Sequence, residues 1–139
     1  MFERTALADG PRVISASLPA ARSVSIAAYV RAGSRLEAPG QVGMAHFLEH
    51  LTFKGTAAYP STRTLSEAIE GVGGSFNAAT DRETTIYWVR VPRREAEHPM
   101  PVLGELVGRR TPAPAQGDTA RGVITEETPG RPAARSDVA

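Results

Sequence analysis

The run Gly43-Met44-Ala45-His46-Phe47-Leu48-Glu49-His50-Leu51-Thr52-Phe53-Lys54-Gly55 limits what the chain can become more than any other stretch. At the helical period of about 100° per residue, Met44, Phe47, Leu48 and Leu51 fall at i, i+3, i+4 and i+7 and make one apolar stripe. His46, Glu49 and His50 project from the opposite side, within about 100° of one another. Such a helix has one side to bury and another that gathers two imidazoles and a carboxylate. Histidines at i and i+4 can chelate one zinc ion, and a carboxylate between them can act on its bound water. The blander reading is a solvated helix face with two surface histidines. It stands unless the rest of the chain supplies a third ligand, a substrate surface and a rigid mount.

With 139 residues, one domain with room for a real core is the natural expectation. The 16 basic and 15 acidic residues are well mixed and leave a net charge of +1, which argues against nucleic-acid and membrane-surface binding. Cysteine is absent, so any metal must be held by His, Asp or Glu. The opening Met1-Phe2-Glu3-Arg4-Thr5 lacks the basic-then-apolar pattern of a signal peptide. No stretch approaches the ~20 apolar residues of a membrane span. The expectation is a soluble, cytoplasmic protein.

Arg4 to Leu7 and Arg12 to Leu18 read as a hairpin around Asp9-Gly10, and Pro19 stops the second strand. Ser23 to Val30 alternates Val24, Ile26, Ala28 and Val30 with Ser23, Ser25 and Tyr29, which suits a sheet with one side against helices. A loop then leads to the motif helix, bracketed by Gly43 and Gly55. Ser61 is the N-cap expected for a second helix, in which Leu65, Ala68, Ile69 and Val72 share a face. Ser75 to Thr80 and Thr84 to Val91 form another hairpin with Asp81-Arg82-Glu83 at its turn. The strand from Thr84 is apolar on both sides and should be central. The short strand before it is either an ordinary edge or one that pairs with an extended peptide. Pro99 and Pro101 confine the next helix to about Pro101 onward. These elements make an α+β fold: a mixed, largely antiparallel sheet with helices packed on one face. The domain spans 1–110, and 111–139 is a Pro/Gly-rich linker and tail containing a short helix at 119–128.

Two histidines leave a zinc ion short of one protein ligand. Later acidic residues are Glu95, Glu97, Glu105, Asp118, Glu126, Glu127 and Asp137. On a helix from Thr119 to Glu127, Val123 and Ile124 define the inward side, and Glu127 lies with them at i+4 and i+3. Glu126 points roughly 110° away. A carboxylate on a buried side needs a partner or a metal, so Glu127 is the better ligand of the two. The alternative leaves both glutamates in water on a short, frayed segment.

Taken together, Val30-Arg31-Ala32-Gly33-Ser34-Arg35, Gly43 to His50, Phe53-Lys54-Gly55-Thr56, Gly73-Gly74-Ser75-Phe76-Asn77-Ala78, Thr85-Ile86-Tyr87 and Arg121 to Glu127 resemble the pitrilysin-type (M16) metallopeptidases. These are the inverzincins, whose His-x-x-Glu-His spelling reverses the commoner zinc-protease order. The resemblance implies a zinc endopeptidase acting on peptides or unfolded polypeptides, with Zn2+ held by His46, His50 and Glu127 and with Glu49 as general base. The 81-residue step from His46 to Glu127 is of the length the family uses. Asn77, Ala78 and Ala79 resemble the strand that receives substrate as an added β-strand, Asn77 helping to hold its backbone. Family members are several times longer and enclose substrate between paired units, so this chain corresponds to part of a first unit and implies a second M16-like half or subunit. Ala120 stands where the family commonly has a glutamate behind the third ligand, and Pro129-Gly130 interrupts the helix that follows it. The competing expectation is a non-catalytic fragment of the same fold that binds a peptide or partner without turnover.

Overall fold

The computed structural model describes residues 2–8 and 10–108. The expected helix at 119–128, the tail at 111–139 and Glu126 and Glu127 lie outside the described residues, as does Asp9 of the first turn.

Strands β1 (Phe2–Ala6) and β2 (Arg12–Ala16) pair antiparallel from Phe2 opposite Ala16 to Ala6 opposite Arg12. Every residue of this ribbon is exposed. The main sheet comprises β3 (Ser23–Val30), β4 (Ser75–Thr80) and β5 (Thr85–Pro92), in the order β3-β5-β4. All its pairings are antiparallel, in keeping with the α+β fold and largely antiparallel sheet expected. The hairpin turn at 81–84 makes β4 and β5 antiparallel neighbours, and β3 pairs with β5 along its whole length.

Alternation then decides the two faces. Val24, Ile26, Ala28 and Val30 stand opposite Val91, Val89, Tyr87 and Thr85, with Phe76, Ala78 and Thr80 on the other flank of β5. This inward face carries helices α1 (Met44–Phe53), α2 (Thr62–Glu70) and α3 (Pro99–Gly108). Leu65 and Ile69 of α2, Tyr87, Val89 and Val91 of β5, and Val102, Leu103 and Leu106 of α3 form the buried core. The outward face bears Ser25, Ala27 and Tyr29 beside Trp88, Arg90 and Asn77, with Tyr29 71% exposed.

Ser61 caps α2 as its position suggests. Its hydroxyl accepts the Thr64 amide at 3.1 Å, and Thr64 Oγ1 accepts the Ser61 amide at 3.1 Å. Two expectations change. Helix α3 begins at Pro99 rather than near Pro101, because both prolines occupy its first turn, where a missing N–H breaks no intrahelical bond. In α1 the apolar stripe is not the side most deeply buried. Met44 is 41% exposed, whereas Glu49 and Thr52 are buried with Leu51. The helix is rolled so that part of its polar side meets the sheet, and Thr52 is satisfied by donating to Leu48 O at 2.8 Å.

The fully buried Leu65 is the residue to remove first. Leu65→Ala should lower the free energy of unfolding in urea by about 2–5 kcal/mol, whereas Tyr29→Ala on the outward face should stay within about 0.5 kcal/mol.

Candidate metal centre

The loop between β3 and α1 is laid against the β4–β5 turn before it reaches the helix. Gly33 makes this possible: a Cβ there would lie 2.5 Å from both Arg82 C and Glu83 N. The Ser34 amide donates to Asp81 O at 3.2 Å and the Arg35 amide to Arg82 O at 2.8 Å. The exposed Arg35–Glu83 ion pair at 2.5 Å lies across the same junction.

Helix α1 starts at Gly43, which adopts φ 89° and has no side chain with which to cap the free amides. Glu37 supplies the cap from the preceding loop. Its Oε2 accepts the Gly43 amide and its Oε1 the Ala45 amide, both at 2.8 Å. A carboxylate at this end also suits the positive end of the helix dipole. Sequence reasoning missed Glu37; the only signal was an acidic residue upstream of a helix whose N-cap is glycine.

With its start held in this way, α1 presents His46 and His50 one turn apart. Their Nε2 atoms are 3.0 Å apart, with ring centroids at 4.6 Å and planes inclined by 62°. Two nitrogens bound to one tetrahedral zinc at about 2.0–2.1 Å stand roughly 3.3–3.4 Å from each other. The observed separation is within a few tenths of an ångström of that value, and imidazole nitrogen is a donor type that suits the ion. Glu49, between them in sequence, is 9% exposed. Its Oε2 accepts a hydrogen bond from Thr80 Oγ1 at the end of β4. Thr80 in turn lies 3.3 Å from Thr85 Oγ1, which donates to Ala32 O at 2.6 Å. His46 and Thr80 line a cavity of about 250 Å³ together with Ser34, Glu37, Asp81 and Arg82. A cavity of about 330 Å³ at the opposite end of the sheet, lined by Arg22, Pro92, Arg93 and Arg94, has no part in this chemistry.

Among the described residues no third His, Asp, Glu or Cys joins the pair. Of the earlier acidic candidates, Glu105 is buried on α3 and accepts the Ala58 amide at 3.4 Å, and Glu95 pairs with Arg94. Asn77 and Ala79 are exposed on β4, which flanks β5 on the outside of the described sheet, and Ala78 faces inward. Asn77 Oδ1 accepts the Ala78 amide at 2.9 Å.

The profile of the family described as Insulinase (Peptidase family M16) matches residues 12–129. The chain belongs to the M16 peptidase family. An uncharacterized zinc protease of Mycobacterium leprae is 40% identical over 127 residues, which are 89% of this chain and 28% of that protein. The mitochondrial-processing peptidase subunit beta of Blastocladiella emersonii is 35% identical over 123 residues, 88% of this chain and 26% of that one. A crystal structure of a protease from Helicobacter pylori superposes with a TM-score of 0.84 at 27% identity, covering 91% of this chain and 30% of that one. This M16 chain thus spans less than a third of the length of these relatives. Among its described residues, no helix is long and apolar enough to cross a membrane.

The Glu37 cap gives a direct check on how the M16 helix is held. Glu37→Ala should destabilise the chain by about 1–2 kcal/mol in chemical denaturation, with Glu37→Gln recovering part of the loss.

Proposed function

We propose that the chain is the metal-binding and proton-transferring part of an M16 zinc endopeptidase. The observation that carries this reading is the 3.0 Å approach of His46 Nε2 and His50 Nε2 on the helix that buries Glu49 between them. His46 and His50 would hold Zn2+, with Glu127 as the third protein ligand. When bound, zinc supplies a Lewis acid for the scissile carbonyl and makes water acidic enough to attack near neutral pH.

The remaining steps belong to side chains of this protein. Glu49 is the general base. Its Oε2 is engaged by Thr80, so its Oε1 is the atom that receives the proton of the attacking water and returns it to the leaving amine. The peptide binds as an added strand along Asn77, Ala78 and Ala79, because an outer strand offers backbone groups to an extended chain. Asn77 exchanges its bond to the Ala78 amide for one to the incoming backbone. A second M16-like half closes over the peptide, in keeping with relatives more than three times as long. The cysteine-free composition suits a reducing compartment such as the cytoplasm.

Zinc content and peptide cleavage test this together. The purified chain should carry zinc at one ion per molecule by elemental analysis, and His46→Ala should lose it. Glu49→Gln should keep the zinc while cleavage of an unstructured peptide falls by about 10²–10⁴-fold. Cleavage that survives Glu49→Gln removes Glu49 from the mechanism. Peptide binding with neither zinc nor turnover leaves the non-catalytic alternative.

A further inference from the structure

The Glu49 carboxylate on α1 is held by a hydroxyl from β4. A threonine hydroxyl has one proton to donate. Thr85 Oγ1 donates to Ala32 O at 2.6 Å, since a carbonyl oxygen can only accept. Thr85 can therefore only accept at its 3.3 Å contact with Thr80 Oγ1, and Thr85 places no proton on Thr80. The Thr80 proton goes to Glu49 Oε2, a carboxylate oxygen that can only accept, so the contact between the two hydroxyls carries no hydrogen bond. The two threonines are cross-strand partners in the β4–β5 register, and Thr85 is also opposite Val30 at the end of β3. Thr85 is 2% exposed, so Thr80 is paired with a buried residue of the central strand.

We propose that Thr80 is a positioning residue for Glu49. It fixes one carboxylate oxygen so that the other faces the reacting water, and the β4–β5 pairing that sets Thr80 opposite Thr85 holds the Thr80 hydroxyl in place. The proposal rests on the reading of Glu49 as general base. It also joins two parts of the site: alternation along β4 sends Thr80 inward to the base while Asn77 and Ala79 stay on the outward side. A hydrogen bond that orients the base without touching substrate should act on kcat and leave KM alone.

The test uses the full chain with Thr80→Val, which removes the hydroxyl at nearly constant shape, and Thr80→Ser, which keeps it. Thr80→Val should lower kcat for peptide cleavage by about 10–100-fold with KM and zinc content unchanged, the loss expected for an outer partner of a metal site. Thr80→Ser should restore most of that rate. A second readout needs no turnover. In the metal-free chain, Thr80→Val should lower the urea midpoint in the wild-type background and shift it much less in a Glu49→Ala background, because the partner is already gone. Wild-type kcat in Thr80→Val, a rate loss accompanied by zinc loss, failure of Thr80→Ser to rescue, or equal midpoint shifts in both backgrounds overturns the proposal. If the wild-type chain takes up no zinc and cleaves no peptide, the functional reading fails, and the metal-free cycle by itself decides whether Thr80 holds Glu49.

Discussion

Two imidazoles on one helix can share an ion only if that helix neither rolls nor frays, and the arrangement around α1 prevents both. Its first turn is clamped by the Glu37 carboxylate on the Gly43 and Ala45 amides. Its last turns are buried at Leu51 and Thr52, and the Phe53 ring lies tilted against that of Phe76 on β4, with centroids 5.6 Å apart. The loop that feeds the helix is bonded to the β4–β5 turn through the backbone of Ser34 and Arg35. Backbone bonds and a charged cap hold direction better than exposed ion pairs, whose worth is small and screened by salt. Arg35–Glu83, 65% and 68% exposed, is accordingly an accessory to the junction and not its cause.

The burial of Glu49 follows from the same geometry. A carboxylate taken out of water needs hydrogen bonds or charge to offset its lost hydration. Thr80 provides one such bond from a strand whose register is set by a core lying further along the sheet. The packing of Val89, Val91, Leu65 and Leu106 thus has a consequence beyond stability. By fixing β4 against β5 it fixes where the Thr80 hydroxyl stands, and through it the orientation of a carboxylate on a different element. A one-residue slip of β4 would turn Thr80 to the outward face and leave Glu49 without that donor.

Much of this was readable without coordinates because it depends on short-range periodicity. The strands Ser23–Val30 and Ser75–Thr80 and the N-cap at Ser61 sit where alternation and capping chemistry put them. Helix α3 starts two residues before the position its prolines suggest, since a proline signals only that a helix does not continue through it and is tolerated at its start. The orientation of α1 departs from its apolar pattern for another reason. Apolar content alone put Met44 inside, although a polar side with partners waiting on a sheet can be buried in its place. Glu37, Thr80 and Thr85 escaped sequence reading altogether, because each acts on a residue far from it in the chain or across a turn.

The sequence by itself determined that one helix carries two histidines and a glutamate on one side, since that relation depends only on the 3.6-residue turn. It also determined the alternation that gives each strand two unlike faces. Only the tertiary structure decided that Thr80 meets Glu49 and that Glu37 meets the first amides of α1. It alone brought the two Nε2 atoms within 3.0 Å of each other. Those contacts join segments separated by loops and turns. Their relative placement comes from the packing of the whole sheet and its helices, a sum over many weak contacts that no local pattern encodes.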